Sequence, residues 1–73
     1  MQNNKSSFLF YETWLHAFSL LPDEGKGRLF IAIAEYALHQ TEPFLPEPTE
    51  EMAFAVIRPI LDLDRERWEK TRE

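Results

Sequence analysis

The sequence has no cysteine and only two glycines, and its eight Lys and Arg are outnumbered by thirteen Asp and Glu, a formal net charge of -5. Without cysteine there is no disulfide and no zinc site built on thiolates, and nothing points to an oxidising compartment. A duplex-binding domain carries a basic footprint to displace counterions from phosphates, and the negative balance here lacks one. Direct nucleic-acid binding is therefore disfavoured, as is adsorption to an anionic membrane. The two glycines, Gly25 and Gly27 around Lys26, have neither the preceding strand nor the spacing of a phosphate-binding loop. No apolar run approaches the ~20 residues of a membrane span. Residues 1–7 hold no charged region leading into a small-residue cleavage site, so no signal peptide is read. The expected location is the cytoplasm, and no cofactor is implied.

What is present is hydrophobic and aromatic. The chain of 73 residues permits one domain, and 44% of it is hydrophobic, with six Phe, two Tyr and two Trp. A core this small rarely supplies more than ~3–5 kcal/mol, and small proteins usually add disulfides, a metal or oligomerisation. The aromatic rings carry more apolar area than so short a chain readily buries alone.

Prolines divide the sequence into three segments with helical periodicity, predicting an all-α, compact bundle of three helices. Residues 1–6 are read as a disordered tail and 7–73 as a single helical domain. The first helix is placed at about 7–21, with Ser6 or Ser7 as N-cap and Pro22 closing it. Its Phe8-Leu9-Phe10-Tyr11 run also reads as a short strand, but no pairing partner follows, and helix is preferred. The second helix is placed at 23–39 with Asp23 as cap, weakened near its start by Gly25 and Gly27. A loop stiffened by Pro43, Pro46 and Pro48 follows, with Phe44 and Leu45 expected to tuck onto the core. The third helix is placed at 50–70 behind Thr49, kinked or split at Pro59. Met52, Ala53, Phe54, Val56, Ile57, Ile60, Leu61 and Leu63 are expected to face inward, with Trp68 as the last anchor.

Chemistry is thinly represented. Glu12 and His16, and Glu35 and His39, are i,i+4 carboxylate–imidazole pairs, but each lies opposite its helix's apolar arc, where a solvated pair is the simpler reading. No metal site is assigned. No nucleophile stands beside an evident base, and Asp62 and Asp64 diverge on one helix, so no catalytic residues are assigned and the chain is read as a non-enzyme. The excess of apolar arc leads instead to self-association. Phe8, Phe10, Tyr11, Trp14 and Trp68 are the candidate contacts with a second copy or another protein.

Several motifs form an ordered series: Ser7-Phe8-Leu9-Phe10-Tyr11 with Trp14, then Leu21-Pro22-Asp23-Glu24, Ala32-Ile33, Tyr36-Ala37, Glu42-Pro43, Ile57-Arg58-Pro59 with Asp62, and Arg67-Trp68. The series resembles a family of small uncharacterised domains encoded by phages and mobile elements of bacteria. Gln40 stands where that family tends to carry Gly, and Glu73 is not followed by its basic, Gly-rich extension. The resemblance implies an oligomerisation or docking module linked to phage DNA metabolism or its regulation, and no catalytic residues. A homodimeric interaction module is thus the leading expectation. The alternative is a small acidic inhibitor or antitoxin-like regulator, offering Glu42, Glu47, Glu50 and Glu51 to a basic partner. A metalloprotein or enzyme comes last.

Overall fold

The computed structural model describes residues 5–72, and among them the chain forms three helices and no strand: α1 over Trp14–Ser19, α2 over Asp23–His39 and α3 over Pro48–Arg72. The all-α bundle expected from periodicity is what is observed. Of the expected tail, residues 1–4 lie outside the described residues, and Lys5 and Ser6 have no regular structure.

Helices α2 and α3 pack along each other and form the frame. Leu29, Ala32, Ile33 and Ala37 of α2 meet Phe54, Ile57 and Leu61 of α3, while Trp14 and Leu21 close the core from the α1 side. The two frame helices interlock through polar groups as well. Arg65 of α3 donates to the carbonyls of Ala37 and Leu38 at 3.2 and 3.1 Å, filling acceptors that the last turn of α2 leaves open.

The first helix is much shorter than expected. Residues 7–13 are not helical, and α1 begins at Trp14 behind a turn in which Trp14 N–H bonds the Tyr11 carbonyl at 3.0 Å. Thr13, not Ser6 or Ser7, occupies the N-cap. The Phe8–Tyr11 run is rich in aromatics, which lose rotamer freedom in a helix. An irregular backbone also advances further per residue than the ~1.5 Å of a helix. That reach lets Phe8 and Phe10 lie on Phe30 of α2 while Tyr11 bonds Asp64 of α3. The strand alternative fails for the reason given by the sequence, since no neighbouring strand is present among the described residues.

Helix α2 has the expected bounds, but Pro22 holds the N-cap and Asp23 and Glu24 sit in the first turn, where their charge suits the helix dipole. The glycines in this turn differ. A Cβ on Gly27 meets nothing within 4 Å, whereas one on Gly25 falls 2.9 Å from the Glu50 carboxylate. Ala favours a helix over Gly by ~1 kcal/mol. Gly27→Ala is therefore expected to raise stability by roughly 0.5–1 kcal/mol, several degrees in Tm for a chain this size. Gly25→Ala must displace Glu50 and should show no such gain. Thermal melts of the two variants check this, and equal stabilisation would contradict it.

At its other end α2 stops because Gln40 turns left-handed, with φ 58°, its N–H on the Tyr36 carbonyl and the N–H of Thr41 on the Glu35 carbonyl. That conformation disfavours any residue with a Cβ and suits Gly. It gives a physical reason for the glycine that the resemblance associates with this position. Gln40→Gly is expected to stabilise the fold by about 0.5–1 kcal/mol and Gln40→Val to destabilise it. Denaturant titrations should separate the pair on either side of the parent.

Helix α3 runs unbroken through Pro59, so the expected split is not realised and only a kink without a break remains compatible. The proline ring removes the donor for the Ala55 carbonyl. Both residues are exposed, so water can serve that carbonyl. Two further expectations are corrected here. Phe44 is 87% exposed, and only Leu45 packs on the core. Met52, Val56 and Leu63 point away from the core, at 69%, 72% and 45% exposure. Once Phe54, Ile57 and Leu61 face α2, residues on the far side of the same helix have nothing to pack on.

Candidate interaction surface

The five side chains expected at an interface do not share one outward face. Trp14 is 3% exposed and belongs to the core, with the rings of Phe10 and Tyr11 at 5.2 and 5.1 Å. This corrects its assignment as a contact residue. That assignment assumed a helix across residues 7–21, and residues 7–13 are not helical. Phe8 is half-buried with its ring 6.5 Å from Phe30. Tyr11 is half-buried and donates its hydroxyl to Asp64 at 2.6 Å. Trp68 is half-buried between Lys5 and Arg65, whose charges lie 5.9 and 5.4 Å from its ring. Phe10 alone of the five is exposed, at 39%. Its ring lies 5.4 Å from Phe18 and 6.2 Å from Phe30, and with Leu15, Ser19 and Lys26 these residues line an open groove of about 520 Å³.

The polar residues of the sequence motifs bond to one another. Tyr36 donates to Asp62, and Arg58 makes two bonds to Glu42, at 2.7 and 2.8 Å, while stacking on Tyr36 at 4.8 Å. This cluster ties the 40–47 loop to both long helices. Each acidic partner holds the proton on its tyrosine: the bonds to Asp64 and Asp62 raise the Tyr11 and Tyr36 pKa values above the ordinary phenol. Arg58 in turn holds the Glu42 carboxyl below its usual range. The divergence of Asp62 and Asp64 expected from their spacing thus lets each pin a different tyrosine.

Glu50, expected to offer its charge to a basic partner, is instead buried, with its side chain 1% exposed. Arg28 of α2 grips it with two bonds, at 2.9 and 2.6 Å, and the absent Cβ of Gly25 makes room for it. These bonds lower its pKa against the opposing effect of burial. No local spacing signals this. Glycine in the first turn of α2, where it weakens the helix, was the one trace of it. Glu12, His16, Glu35 and His39 are all exposed, and among the described residues no three His, Asp or Glu side chains gather as a metal site would require.

A second apolar surface went unread. Met52, Val56, Pro59 and Leu63 line up on the exposed side of α3, and their spacing of four, three and four residues was visible in the sequence. It was masked because α3 also carries an apolar line on its opposite side.

Residues 7–73 match the model of a family of unknown function (DUF6291). The chain belongs to this family. The match covers the stretch on which the motif series was recognised, so the tyrosine–carboxylate and Arg58–Glu42 contacts give structural roles to several residues of that series. No curated protein and no solved structure matches the chain. No helix among the described residues is long and apolar enough to cross a membrane.

Proposed function

We propose that the chain is a non-catalytic helical module that brings two copies of a protein together. The observation that carries this reading is the apolar surplus. Among the described residues nine hydrophobic residues are buried, while ten large hydrophobic side chains are 39% or more exposed. Scattered exposed residues are ordinary. Here six of the ten collect in two places, Phe10, Leu15 and Phe30 around the groove and Met52, Val56 and Leu63 in the outer row of α3, and contiguous apolar surface of that kind marks contact sites. The engagement of Tyr11, Tyr36, Asp62, Asp64, Arg58 and Glu42 with one another also supports a non-catalytic reading, since these groups are committed to holding the fold. A phage or mobile-element setting, with a link to DNA metabolism, is part of the proposal and rests on the sequence resemblance.

The acidic-regulator reading draws less support. Of the four carboxylates that motivated it, Glu50 and Glu42 are bonded to arginines of the same chain, leaving Glu47 and Glu51 to face outward. Light scattering across the micromolar range tests the choice. The module predicts a dimer that persists as salt is raised, because the contact is apolar. A mass that stays at one chain throughout would count against it.

A further inference from the structure

We infer that the second copy sits on the outer face of α3, the two helices lying side by side and parallel. The inference rests on the self-association just proposed and names the surface responsible. Met52, Val56, Pro59 and Leu63 lie in one row, roughly 150° around the helix from the line of Phe54, Ile57 and Leu61 that packs on α2. Their four-three-four spacing is that of a coiled-coil seam, in which successive side chains fill gaps in an identical facing helix. Across this stretch the outer side, completed by Ala55 and Ile60, carries no charge, although 29% of the chain is charged.

The edges of the row identify the occupant. Asp62 and Glu69 border it on one side, and Arg67 borders it on the other. In a parallel pair, the acidic edge of each helix runs beside the basic edge of its mate, with Asp62, whose Oδ1 takes the Tyr36 hydroxyl, presenting Oδ2 to Arg67 of the second copy, five residues further on. Two-fold symmetry makes that contact twice, as a self-complementary surface requires. An antiparallel pair would set the acidic edges against each other. Arg67 is 68% exposed and its approach to Asp64 in the same chain is a loose 3.9 Å, so it can turn to the second copy. Ala55 lies at the rim of the row, which keeps its carbonyl, deprived of its donor by Pro59, in contact with water.

Size sets the strength. The apolar row spans Met52 to Leu63, roughly 17 Å of helix, before its register meets Glu66 and Lys70, and a strip roughly 10 Å wide along it is far below the ~800 Å² per partner of standard interfaces, so the pairing should be weak, micromolar at the tightest.

Because the chain has no cysteine, one introduced thiol reports its own neighbour. Under mild oxidation Leu63→Cys should link to itself, since residue 63 faces residue 63 in a parallel pair, while Ile31→Cys on the exposed side of α2 should not. Val56→Glu, at a position 72% exposed in the single chain, should leave the melt of the fold intact and weaken the dimer at least ~100-fold by placing a carboxylate in the seam. A dimer unaffected by Val56→Glu would overturn the inference and return the contact to another face. Linking of Leu63→Cys only when mixed with Met52→Cys would overturn the parallel arrangement. A parent chain that is monomeric at every concentration would instead overturn the self-association reading itself.

Discussion

Trp14→Ala should leave the chain largely unfolded at room temperature. Trp14 is the one buried side chain of α1, 3% exposed, and the rings of Phe10 and Tyr11 rest on it. Removing a large aromatic from a core costs ~3–5 kcal/mol, and a core of this size supplies little more than that in total. The loss also spreads. Without the indole, the 5–13 segment keeps Tyr11's bond to Asp64 but loses the surface over which it crosses from α2 to α3. Trp14→Phe should be much milder, because the indole N–H is buried without a hydrogen-bond partner and its removal relieves that penalty. Far-UV circular dichroism and thermal melts distinguish the two variants. Retention of most helical signal by Trp14→Ala would show that Trp14 is not the keystone of the α1 side.

Arg28→Ala is the second large effect, and its signature lies in the pH dependence. In the parent, Arg28 lowers the Glu50 pKa below its value in the unfolded chain, ~4.3. A group depressed on folding contributes stability that is present above the unfolded pKa and is lost as pH falls through the folded one. The parent should therefore lose this contribution in the acid range, below about pH 4. Arg28→Ala removes the partner of a carboxylate that is 1% exposed in the parent and lies against Gly25. Desolvation then raises its pKa, which reverses the sign: the variant gains relative stability as pH falls from neutral towards 5. Glu42→Ala provides the contrast, because Glu42 is 67% exposed and its pair with Arg58 is a surface one. Its effect on stability should be small and its pH profile close to the parent's. Melts of the three proteins between neutral and acid pH test this, and a parallel profile for Arg28→Ala would contradict the account of Glu50.

The long helices were legible because their punctuation is local. Pro22, with Asp23 and Glu24 behind it, opens α2, and the proline-rich loop separates it from α3. The bounds of α2 agree with those read from the sequence and those of α3 differ by two residues at each end. The 7–13 segment was not legible, because its conformation is decided by distant contacts, Phe10 on Phe30 and Tyr11 on Asp64, that no window of neighbours contains. The orientation of α3 failed for a related reason. Apolar residues occupy two opposite lines of that helix, and periodicity cannot choose which line meets α2. Phe54, Ile57 and Leu61 do so, and the line expected beside them became the candidate contact surface. Self-association was expected from the amount of apolar area, while its place depended on a choice that only packing makes.

That self-association is the central claim, and sedimentation equilibrium of the chain from low to high micromolar concentration tests it most directly. The account predicts a mass that rises from the 8.7 kDa of one chain towards twice that value, with only a small change between low and high salt because the contact is mainly apolar. A single-chain mass over the whole range, with the fold intact, would contradict it.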